Sequence, residues 1–521
     1  MNALSDKKSL LKKTLEVGGN TFLSRMLGLT REILLMRYLG VGILADAFTT
    51  AFMLPNSLRK IFAEGALTAA FVPTFITIFK KEGKDQANKL TTLSFLVFES
   101  ILVLFCMLVM YKAQGTVQFI TPGYSPEQVA ATVPLLRILM PFIFFISTSA
   151  LLSGALQSVN HFFVPAFGPV LLNVFFIGGI IACLKGAYPP AYLCWVIMAG
   201  GAFQCLMHLV TYIKLGFSFE LWDVTTLKYF TQIIGKFLLC FLSMSVMEVN
   251  LLVDQMFASY LPAGSVTLIK YACRFMGIPL GVFAVAFSTI LLPHFTRLKL
   301  EQPEKLDFYL AEAIKFVFWV TIPATLIIMF FSNEVFLTLF ASYSSKFPAH
   351  RVPEAGTILV GFMSGLCFFS LNKILFSMYY SFHDTFYPII ISAVATALNA
   401  CTNYYLVGIL GGFGLALSTS LSGLVQTVLA LIFLSVIHKF DIPFKRIFKF
   451  LLVYSLQVVC VLVPFYLLYS PLYNFIASFS KAFFFTQSFG FWAWVGPLIL
   501  GIYGLLYLTR NLFKIDLYFL S

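Results

Sequence analysis

Long apolar segments alternate with short polar loops along the whole chain. Each segment holds about 20 or more mostly apolar residues, which is the length that an α-helix needs to cross the hydrocarbon core of a membrane. The pattern predicts spans near residues 14–40, 45–79, 89–112, 128–158, 163–184, 189–214, 229–260, 266–297, 309–331, 356–382, 386–407, 413–437, 447–469 and 489–509. We therefore expect an all-α polytopic membrane protein with about 14 transmembrane helices.

The loops between the predicted spans alternate in charge. One set is rich in Lys and Arg, as in residues 7–13, 80–89, 214–228, 297–305 and 439–449. The other set, which includes residues 40–44 and 408–413, is nearly free of them. Because cytoplasmic loops carry the excess of basic residues, this alternation predicts that both termini lie in the cytoplasm and that the number of spans is even.

The composition narrows the class of protein. The chain has 521 residues, of which 60% are hydrophobic and 11% charged, and its mean hydropathy is +0.90; no soluble domain of this size has that balance. The net charge of +13 does not indicate nucleic-acid binding, because the basic residues are dispersed through short loops and spans and form no basic face. The nine Cys lie mostly in apolar segments without a CxxC pair, so we expect neither a metal centre nor a disulfide framework.

The chain partly matches itself at an offset of about 222 residues, the distance from Tyr38 to Tyr260. The matches are Tyr38-Leu39 with Tyr260-Leu261, Phe52-Met53 with Phe275-Met276, Phe62-Ala63 with Phe283-Ala284, Pro73 with Pro293, and Pro165 with Pro388. Six spans fit within one offset, so both copies enter the membrane in the same direction, as in transporters built from parallel repeats. We expect an N-terminal lobe at 1–221 (spans one to six), a C-terminal lobe at 222–440 (spans seven to twelve), and two further spans at 441–521.

Charged side chains inside the first two spans are the main functional signal. An Arg at the centre of a bilayer costs about 2.5 kcal/mol or more, so a chain retains one where it faces a wet, protein-lined cavity or a partner. The residues concerned are Arg25, Arg31, Asp46, Arg59, Lys60 and Glu64. Their basic balance predicts a site that handles an anion.

Arg59 is the strongest single candidate for a ligand contact. It follows Pro55, which is expected to kink the second span, and it lies about 20 Å along that helix at about 1.5 Å per residue. Lys60 and Glu64 are four residues apart and can partly neutralise each other, whereas Arg59 has no such local partner in the sequence.

Arg25 and Arg31 lie on different faces of the first span. The alternative to a ligand-binding role is that each pairs with a carboxylate on a neighbouring helix, for which Asp46 and Glu64 are available. Arg274, just before Pro279, is the nearest counterpart in the second lobe. Guanidinium groups from two lobes would suit a phosphate, whose oxygens Arg can bind in bidentate fashion.

A second group of polar residues lies in later spans. Asp254 is in span seven, Asn399 and Asn403 are four apart in span eleven, and Thr419 is in span twelve. Such oxygen ligands could hold a hard monovalent cation such as Na⁺. The alternative, hydrogen bonding between polar side chains of neighbouring helices, is the commoner arrangement.

Three ordered blocks resemble the MurJ/MviN family, the peptidoglycan lipid II flippases of the MATE-like superfamily. They are residues 24–32 (Ser-Arg-x-Leu-Gly-x-x-Arg-Glu), residues 45–48 (Ala-Asp-Ala-Phe) and residues 59–73 (Arg-Lys-Ile-Phe-Ala-Glu-Gly-Ala, ending in Phe-Val-Pro). Arg274, the segment around Pro293 and the fourteen-span layout extend the resemblance over essentially the whole chain.

The resemblance implies two lobes that alternate in access, a cationic cavity for the head group of the lipid-linked precursor, and a groove beside the last two helices for its polyprenyl tail. On this basis the candidate substrate-binding residues are Arg25, Arg31, Asp46, Arg59, Lys60, Glu64 and Arg274, and a possible Na⁺ coupling site comprises Asp254, Asn399, Asn403 and Thr419. The chain departs from the family at Cys273, where members often carry an acid, at Gly277, where some carry Glu, and at Asn403, where some carry Asp; the last change lowers the charge of the cation site.

The expected function is therefore transport of lipid II across the bacterial cytoplasmic (inner) membrane for peptidoglycan synthesis and cell-wall biogenesis, without catalysis. Its expected partners are lipid II, membrane lipids and possible cell-wall synthesis or division proteins. The alternatives are an O-antigen-type lipid-oligosaccharide flippase, a multidrug or cation antiporter, which would want acids in its cavity, and an intramembrane enzyme for polyprenyl phosphates. That enzyme would need paired acids for a metal or a His base, whereas the six His are scattered singly.

Overall fold

The computed structural model describes residues 3–478 and 482–520. These residues form helices joined by turns and short irregular segments, with no β-strand among them. They fall into two compact units, Met1–Gly264 and Ser265–Ser521.

The first unit contains ten α-helices and one π-helical segment within its described part. The helices are α1 (Ala3–Leu39), α2 (Ile43–Leu58), α3 (Thr68–Lys81), α4 (Lys84–Tyr111), α5 (Ala113–Ile120), α6 (Pro126–Leu139), α7 (Phe142–Ser158), α8 (Phe163–Gly186), α9 (Pro190–Lys214) and α10 (Val224–Ala258), and the π segment is Arg59–Leu67. Helix α1 packs on α8, α8 on α9, α2 on α6, and α7 on α9.

The second unit repeats this mixture of long and short helices. Its α-helices are α11 (Ser265–Pro279), α12 (Ala286–Glu301), α13 (Leu306–Phe330), α14 (Ser332–Leu339), α15 (Val352–Met363), α16 (Leu366–Ser381), α17 (Phe386–Ile437), α18 (Phe444–Ala477), α19 (Ala482–Gln487) and α20 (Phe491–Thr509), with a π segment at Leu280–Val285. Helices α15 and α16 pack on α17, α11 on α15, and α12 on α16.

The number of apolar helices agrees with the predicted layout. Twelve described helices are long and apolar enough to cross a membrane. One of them, Phe386–Ile437, consists of two helices that meet at Gly411, whose φ of 59° and ψ of −137° are not helical. Helix α1, 37 residues long, also has the length to cross a membrane, but it carries charged residues along its length and is therefore not among the twelve apolar helices.

Both units contain a helix that is interrupted by a π segment shortly after a proline. In the first unit Pro55 precedes Arg59–Leu67, and in the second Pro279 precedes Leu280–Val285. A proline removes one helical hydrogen bond and its ring crowds the preceding turn, so the local helix widens. The two segments lie at positions related by the sequence offset, and π segments of this kind are frequent at functional sites.

The compact units divide at a different place from the predicted lobe boundary at 221/222. Helix α10 packs on the π segment Arg59–Leu67 and on α3 and α4, so it belongs to the first unit. The contacts are apolar and close: the Phe237 ring packs edge-on or tilted against those of Phe62 and Phe98, with ring centroids 5.1 and 4.8 Å away. The boundary predicted from the sequence marks where the internal repeat begins again, whereas the boundary of a compact unit depends on which helices pack together.

The start of α10 is capped by Asp223, which accepts a hydrogen bond from the Thr226 backbone N–H at 2.8 Å. Gln86 and Lys89 of α4 bind the same carboxylate at 3.1 and 3.0 Å. These donors hold the pKa of Asp223 well below its ordinary value of 3.8, the Thr226 backbone N–H first. The cap therefore joins α10 to α4 as well as satisfying the end of the helix.

In the second unit, Glu312 of α13 organises a buried ionic cluster. Its Oε1 lies 2.8 Å from Lys315 Nζ and 2.7 Å from Arg446 Nη2 of α18, and Lys315 donates to the carbonyl of Asp516 at 2.9 Å. The carboxylate side chain is only 2% exposed. Because one acid holds two cations, this cluster ties α18 and the C-terminal segment to α13.

The last two long helices, α18 and α20, pack within the second unit through polar as well as apolar contacts. Tyr454 of α18 donates its hydroxyl to the Trp319 carbonyl at 2.6 Å, and Gln457 donates to the Leu506 carbonyl of α20 at 2.7 Å. The opposite face of α18 exposes a row of large apolar side chains, which are Leu452, Leu456, Val459, Val463, Tyr466 and Leu467. In a membrane that row is available to lipid chains.

Candidate functional site

Arg31 of α1 is held by neighbours on three sides. Its Nη2 donates to Glu32 Oε1 at 2.7 Å and its Nη1 to Asn173 Oδ1 of α8 at 3.0 Å. Its guanidinium carbon lies 4.8 Å from the centre of the Phe176 ring. The side chain is 17% exposed, so Arg31 is largely a packed residue that joins α1 to α8.

The alternative predicted for Arg31 was pairing with a carboxylate of a neighbouring helix, and the structure shows a carboxylate partner from its own helix instead. The carboxylate is that of Glu32, the next residue along α1, and the neighbouring helix contributes the amide of Asn173. Asn173 in turn donates to the backbone carbonyl of Ser24 at 3.2 Å. Neither Glu32 nor Asn173 had been singled out as a partner, because adjacent residues and a lone Asn give no periodic signal.

Arg25 differs from Arg31 in its surroundings. It is exposed and forms no ion pair with the side chains that the structure describes. Its guanidinium group therefore retains its full set of donors for an anion.

Asp46 lies in the first turn of α2 and is 1% exposed. Its Oδ2 accepts the backbone N–H of Gly264 at 2.5 Å, which fastens the segment after α10 to the start of α2. Nearby, Thr50 bonds the hydroxyl of Tyr124 at 2.7 Å and accepts from Gln255 of α10 at 2.9 Å. A carboxylate at a helix N-terminus is also favoured by the helix dipole. Asp46 therefore has a structural role, in which it holds the start of α2 to the segment after α10.

Arg59 begins the π segment of the first unit, and its guanidinium group is half-buried. Both its Nε and its Nη2 donate to Asn56 Oδ1, at 3.2 and 3.1 Å. Asn56, one turn earlier, is therefore a hydrogen-bonding partner that the sequence analysis did not identify. This contact orients the guanidinium group.

Lys60 pairs with Glu248 of α10, whose Oε1 lies 3.0 Å from Nζ. The other carboxylate oxygen of Glu248 accepts from Ser57 Oγ at 2.6 Å, and Glu248 is 8% exposed while the Lys60 side chain is 40% exposed. The partner predicted from sequence was Glu64, whose side chain lies outside the described part of the chain. In a π segment hydrogen bonds run from i to i+5, so spacing by four no longer implies that two side chains meet.

Glu248 is thus a site residue that the sequence reasoning missed. It is an acid within the apolar run of the seventh predicted span, and that position alone is a signal for function or for a buried partner. The structure also shows why the pairing is across helices, since α10 packs directly on the π segment.

Four of the five remaining predicted residues lie in the second unit. Arg274 lies on α11, before the π segment that begins at Leu280, and its side chain is exposed. Asn399 and Asn403, four apart on α17, are both fully buried, and Thr419 donates its hydroxyl to the Leu415 carbonyl at 3.0 Å. Asp254, the fourth predicted cation ligand, is a half-buried residue of α10 in the first unit. Among the described residues no group of three or more His, Cys, Asp or Glu has the arrangement of a metal centre.

The chain was compared with known families and proteins. The family model described as "Lipid II flippase MurJ" matches residues 35–490. A probable lipid II flippase MurJ of Rhizobium tropici is 32% identical over a match that covers 81% of this chain and 80% of the relative. The lipid II flippase MurJ of Burkholderia cenocepacia is 31% identical, with 81% of this chain and 83% of the relative covered.

Solved structures give the same result for the fold. A lipid II flippase MurJ in an inward closed conformation superposes with a TM-score of 0.77 at 25% identity, covering 95% of this chain and 99% of that structure. A multidrug-resistance MATE family transporter in an inward-facing conformation superposes with a TM-score of 0.69 over 79% of this chain and 93% of that structure. Its identity to this chain is only 15%, so this second likeness shows a shared fold and nothing further.

Proposed function

The chain belongs to the lipid II flippase MurJ family, and we propose that it moves lipid II from the inner to the outer leaflet of the bacterial cytoplasmic membrane. It is a multi-pass membrane transporter and not an enzyme. The cargo is an undecaprenyl pyrophosphate that carries a disaccharide-peptide, so the protein must accept a doubly phosphorylated, anionic head while the tail stays in lipid.

The observation that carries the proposal is that three cationic side chains of the first unit are exposed or partly exposed. Arg25 is exposed, Arg59 is oriented by a neutral amide, and Lys60 keeps 40% of its side chain exposed although it pairs with Glu248. Guanidinium groups bind phosphate oxygens through paired donors, and the ammonium adds a point charge. We assign the pyrophosphate to these three residues, and we keep Arg274 of the second unit as a separate candidate for substrate binding.

The roles of the remaining predicted residues follow from their surroundings. Arg31 and Asp46 position the helices that carry the binding groups, because both are largely buried and hydrogen-bonded. Alternating access, in which the cationic groups face first one side of the membrane and then the other, is the transport cycle that we propose. An inside-negative potential favours export of an anion by about 2.3 kcal/mol per charge per 100 mV.

Lipid II translocation by the purified protein in liposomes tests the function. We expect Arg59→Ala and Arg274→Ala to abolish translocation while the protein still inserts and elutes as a single species. Arg137→Ala is the matched control, since Arg137 is also an Arg in a spanning helix but donates only to the Met110 carbonyl, at 3.2 Å. Full translocation by Arg59→Ala and Arg274→Ala would refute the assignment.

We further propose that both termini lie in the cytoplasm, which the basic loops favour. Reporter fusions at residue 521 and in the loops around 40–44 and 408–413 test this orientation. A cytoplasm-active reporter should work at the C-terminus and fail in those two loops; the reverse pattern would overturn the proposal.

Na⁺ coupling is a separate proposal. We propose that the buried amides of Asn399 and Asn403 and the Thr419 hydroxyl, all in the second unit, supply neutral oxygen ligands for this cation. That chemistry fits a monovalent cation better than a divalent one, which would require carboxylates. Binding of ²²Na⁺ to the purified protein should be lost in Asn399→Ala, and unchanged binding in that variant would remove the site.

We propose that the undecaprenyl tail lies against α18 and α20. The support is the exposed apolar face of α18 and the ionic and hydrogen-bonded contacts that fasten this pair of helices to α13. A photoreactive polyprenyl analogue should label α18, and replacement of Val459 by Trp should reduce that labelling. Labelling confined to the first unit would contradict this assignment.

A further inference from the structure

A groove on the first unit is lined by none of the charged residues discussed so far. Its volume is about 440 Å³, and it is lined by Phe95, Leu96, Glu99, Ser100, Val103 and Leu104 of α4 together with Phe144 of α7. Leu96, Val103 and Leu104 are 42%, 39% and 62% exposed. These apolar side chains continue the outward face of a membrane-length helix, so the groove opens toward lipid.

Glu99 is the one ionisable side chain in the lining of this groove, and it is 3% exposed. Both of its carboxyl oxygens are buried without a hydrogen-bond partner among the described residues. The hydroxyls of Ser147 and Thr148 lie near it on α7, but they too lack a partner in hydrogen-bonding geometry. The other titratable groups near Glu99 are the thiols of Cys106 and Cys205, and no Lys, Arg or His of the described chain pairs with it.

An arrangement of this kind is costly for the folded protein. An ionised carboxylate without a partner in a low-dielectric site costs several kcal/mol, and the neutral acid still leaves a donor and acceptors unsatisfied. In most proteins such a group is paired or lies at a site where something binds. A carboxylate in the lining of the groove attracts a group that carries positive charge and donates hydrogen bonds.

We propose that this groove binds a membrane-dissolved amphiphile with a protonated primary amine and a hydrocarbon body, with Glu99 as the counter-ion. A primary ammonium carries a positive charge and three donors, which suit the carboxylate of Glu99. The Phe, Leu and Val walls accept the chain, and the volume lies within the range of small-molecule sites. Phosphatidylethanolamine is not the expected occupant, because its phosphate would have to enter an apolar wall beside the carboxylate.

The site is independent of lipid II transport, and binding of tritiated dodecylamine to the full-length protein in phosphatidylcholine nanodiscs tests it directly. We expect saturable binding above that of empty nanodiscs, with a stoichiometry of about one per chain. Glu99→Gln should weaken the affinity at least about tenfold, which corresponds to about 1.4 kcal/mol. Glu127→Gln, at an exposed position of α6, is the matched control and should bind like the unaltered protein.

Two further arms identify the chemistry. Dodecanol, which has the same chain without the cation, should compete poorly and should not distinguish Glu99→Gln from the unaltered protein. Ser100→Trp, which fills the groove and leaves the carboxyl in place, should abolish saturable binding. If Glu99→Gln fails to fold, Ser100→Trp still tests whether dodecylamine binds in this groove.

The proposal is overturned by any of three results. The first is an affinity of folded Glu99→Gln within twofold of the unaltered protein. The second is saturable dodecylamine binding that persists in Ser100→Trp. The third is displacement of dodecylamine by phosphatidylethanolamine incorporated in the nanodisc, which would identify the lipid headgroup as the occupant.

Discussion

Replacing Glu248 by Gln removes the negative charge that pairs with Lys60 while keeping a side chain of nearly the same size and shape. In Glu248→Gln the amide can still accept from Ser57, whose hydroxyl bonds Glu248 at 2.6 Å. The contact that is lost is the one to Lys60 Nζ at 3.0 Å. A hydrogen bond to a charged group contributes about 1.5–3 kcal/mol. Because the Lys60 side chain is 40% exposed and can return to water, the cost to stability should be nearer about 1 kcal/mol.

The effect on ligand binding should have the opposite sign. Removing one negative charge that lies roughly 10 Å from a bound phosphate is worth about 0.4 kcal/mol at a dielectric constant of about 80 and about 1.7 kcal/mol at about 20. These values correspond to an increase in affinity of about twofold to about fifteenfold. We expect tighter binding without faster transport, because a head group that is held more firmly is also released more slowly.

The assay is equilibrium binding of lipid II to the protein in nanodiscs, run beside translocation in liposomes, with apparent melting as the check on folding. Lys60→Met should weaken binding, and the double variant Lys60→Met/Glu248→Gln should lie between the two single variants. Glu127→Gln serves as a control for loss of an acid elsewhere. If folded Glu248→Gln binds lipid II more weakly than the unaltered protein, Glu248 does not act by neutralising Lys60 and the electrostatic reasoning fails.

Three further predictions concern stability and can be read from thermal melting of the purified protein. Asn173→Ala should lower stability by about 1–3 kcal/mol because Arg31 loses a charge-assisted hydrogen bond, and an unchanged melting temperature would mean that Arg31 needs no partner on α8. Glu312→Gln should cost about 3 kcal/mol, since a buried pair loses its anion and leaves Lys315 facing a second cation, whereas exposed Glu301→Gln should be neutral. Asp223 has a folded-state pKa below its unfolded value, so its contribution to stability is present above about pH 4 and is lost as the pH falls through the folded pKa. The melting temperature of the unaltered protein should therefore drop over that acidic range. An equal drop in Asp223→Asn would assign the acid sensitivity to other groups.

The predicted spans and the helical class agree with the structure because they depend on local quantities. Twenty apolar residues require a helix in lipid whatever their neighbours are. The break near Gly411 was also predictable, since the loop at 408–413 separates two predicted spans and a Gly tolerates the left-handed backbone found there. The placement of Pro55 before a distorted segment of helix follows from the missing N–H of proline.

The partners of the charged residues were not predictable to the same degree. The sequence predicts an acid four residues away as a partner of Lys60; the structure shows Glu248, 3.0 Å from Lys60 and 188 residues further along the chain, which the spacing gives no reason to choose. Asn56, which accepts two hydrogen bonds from Arg59, was likewise not identified from the sequence. Sequence spacing specifies neighbours only while the helix is regular, and the π segment that begins at Arg59 removes that regularity.

The relation between the two halves and the anion site stay predictions from the sequence. By itself the sequence determined that this protein is helical and crosses a membrane many times. Those properties follow from transfer free energies and helix geometry, which act over a few neighbouring residues. Only the tertiary structure decided that α10 belongs with the first unit, that Glu248 neutralises Lys60, and that Glu99 ends in an apolar groove without a partner. Each of these depends on which helices touch, and contact between helices is set by the packing of whole faces rather than by any local pattern.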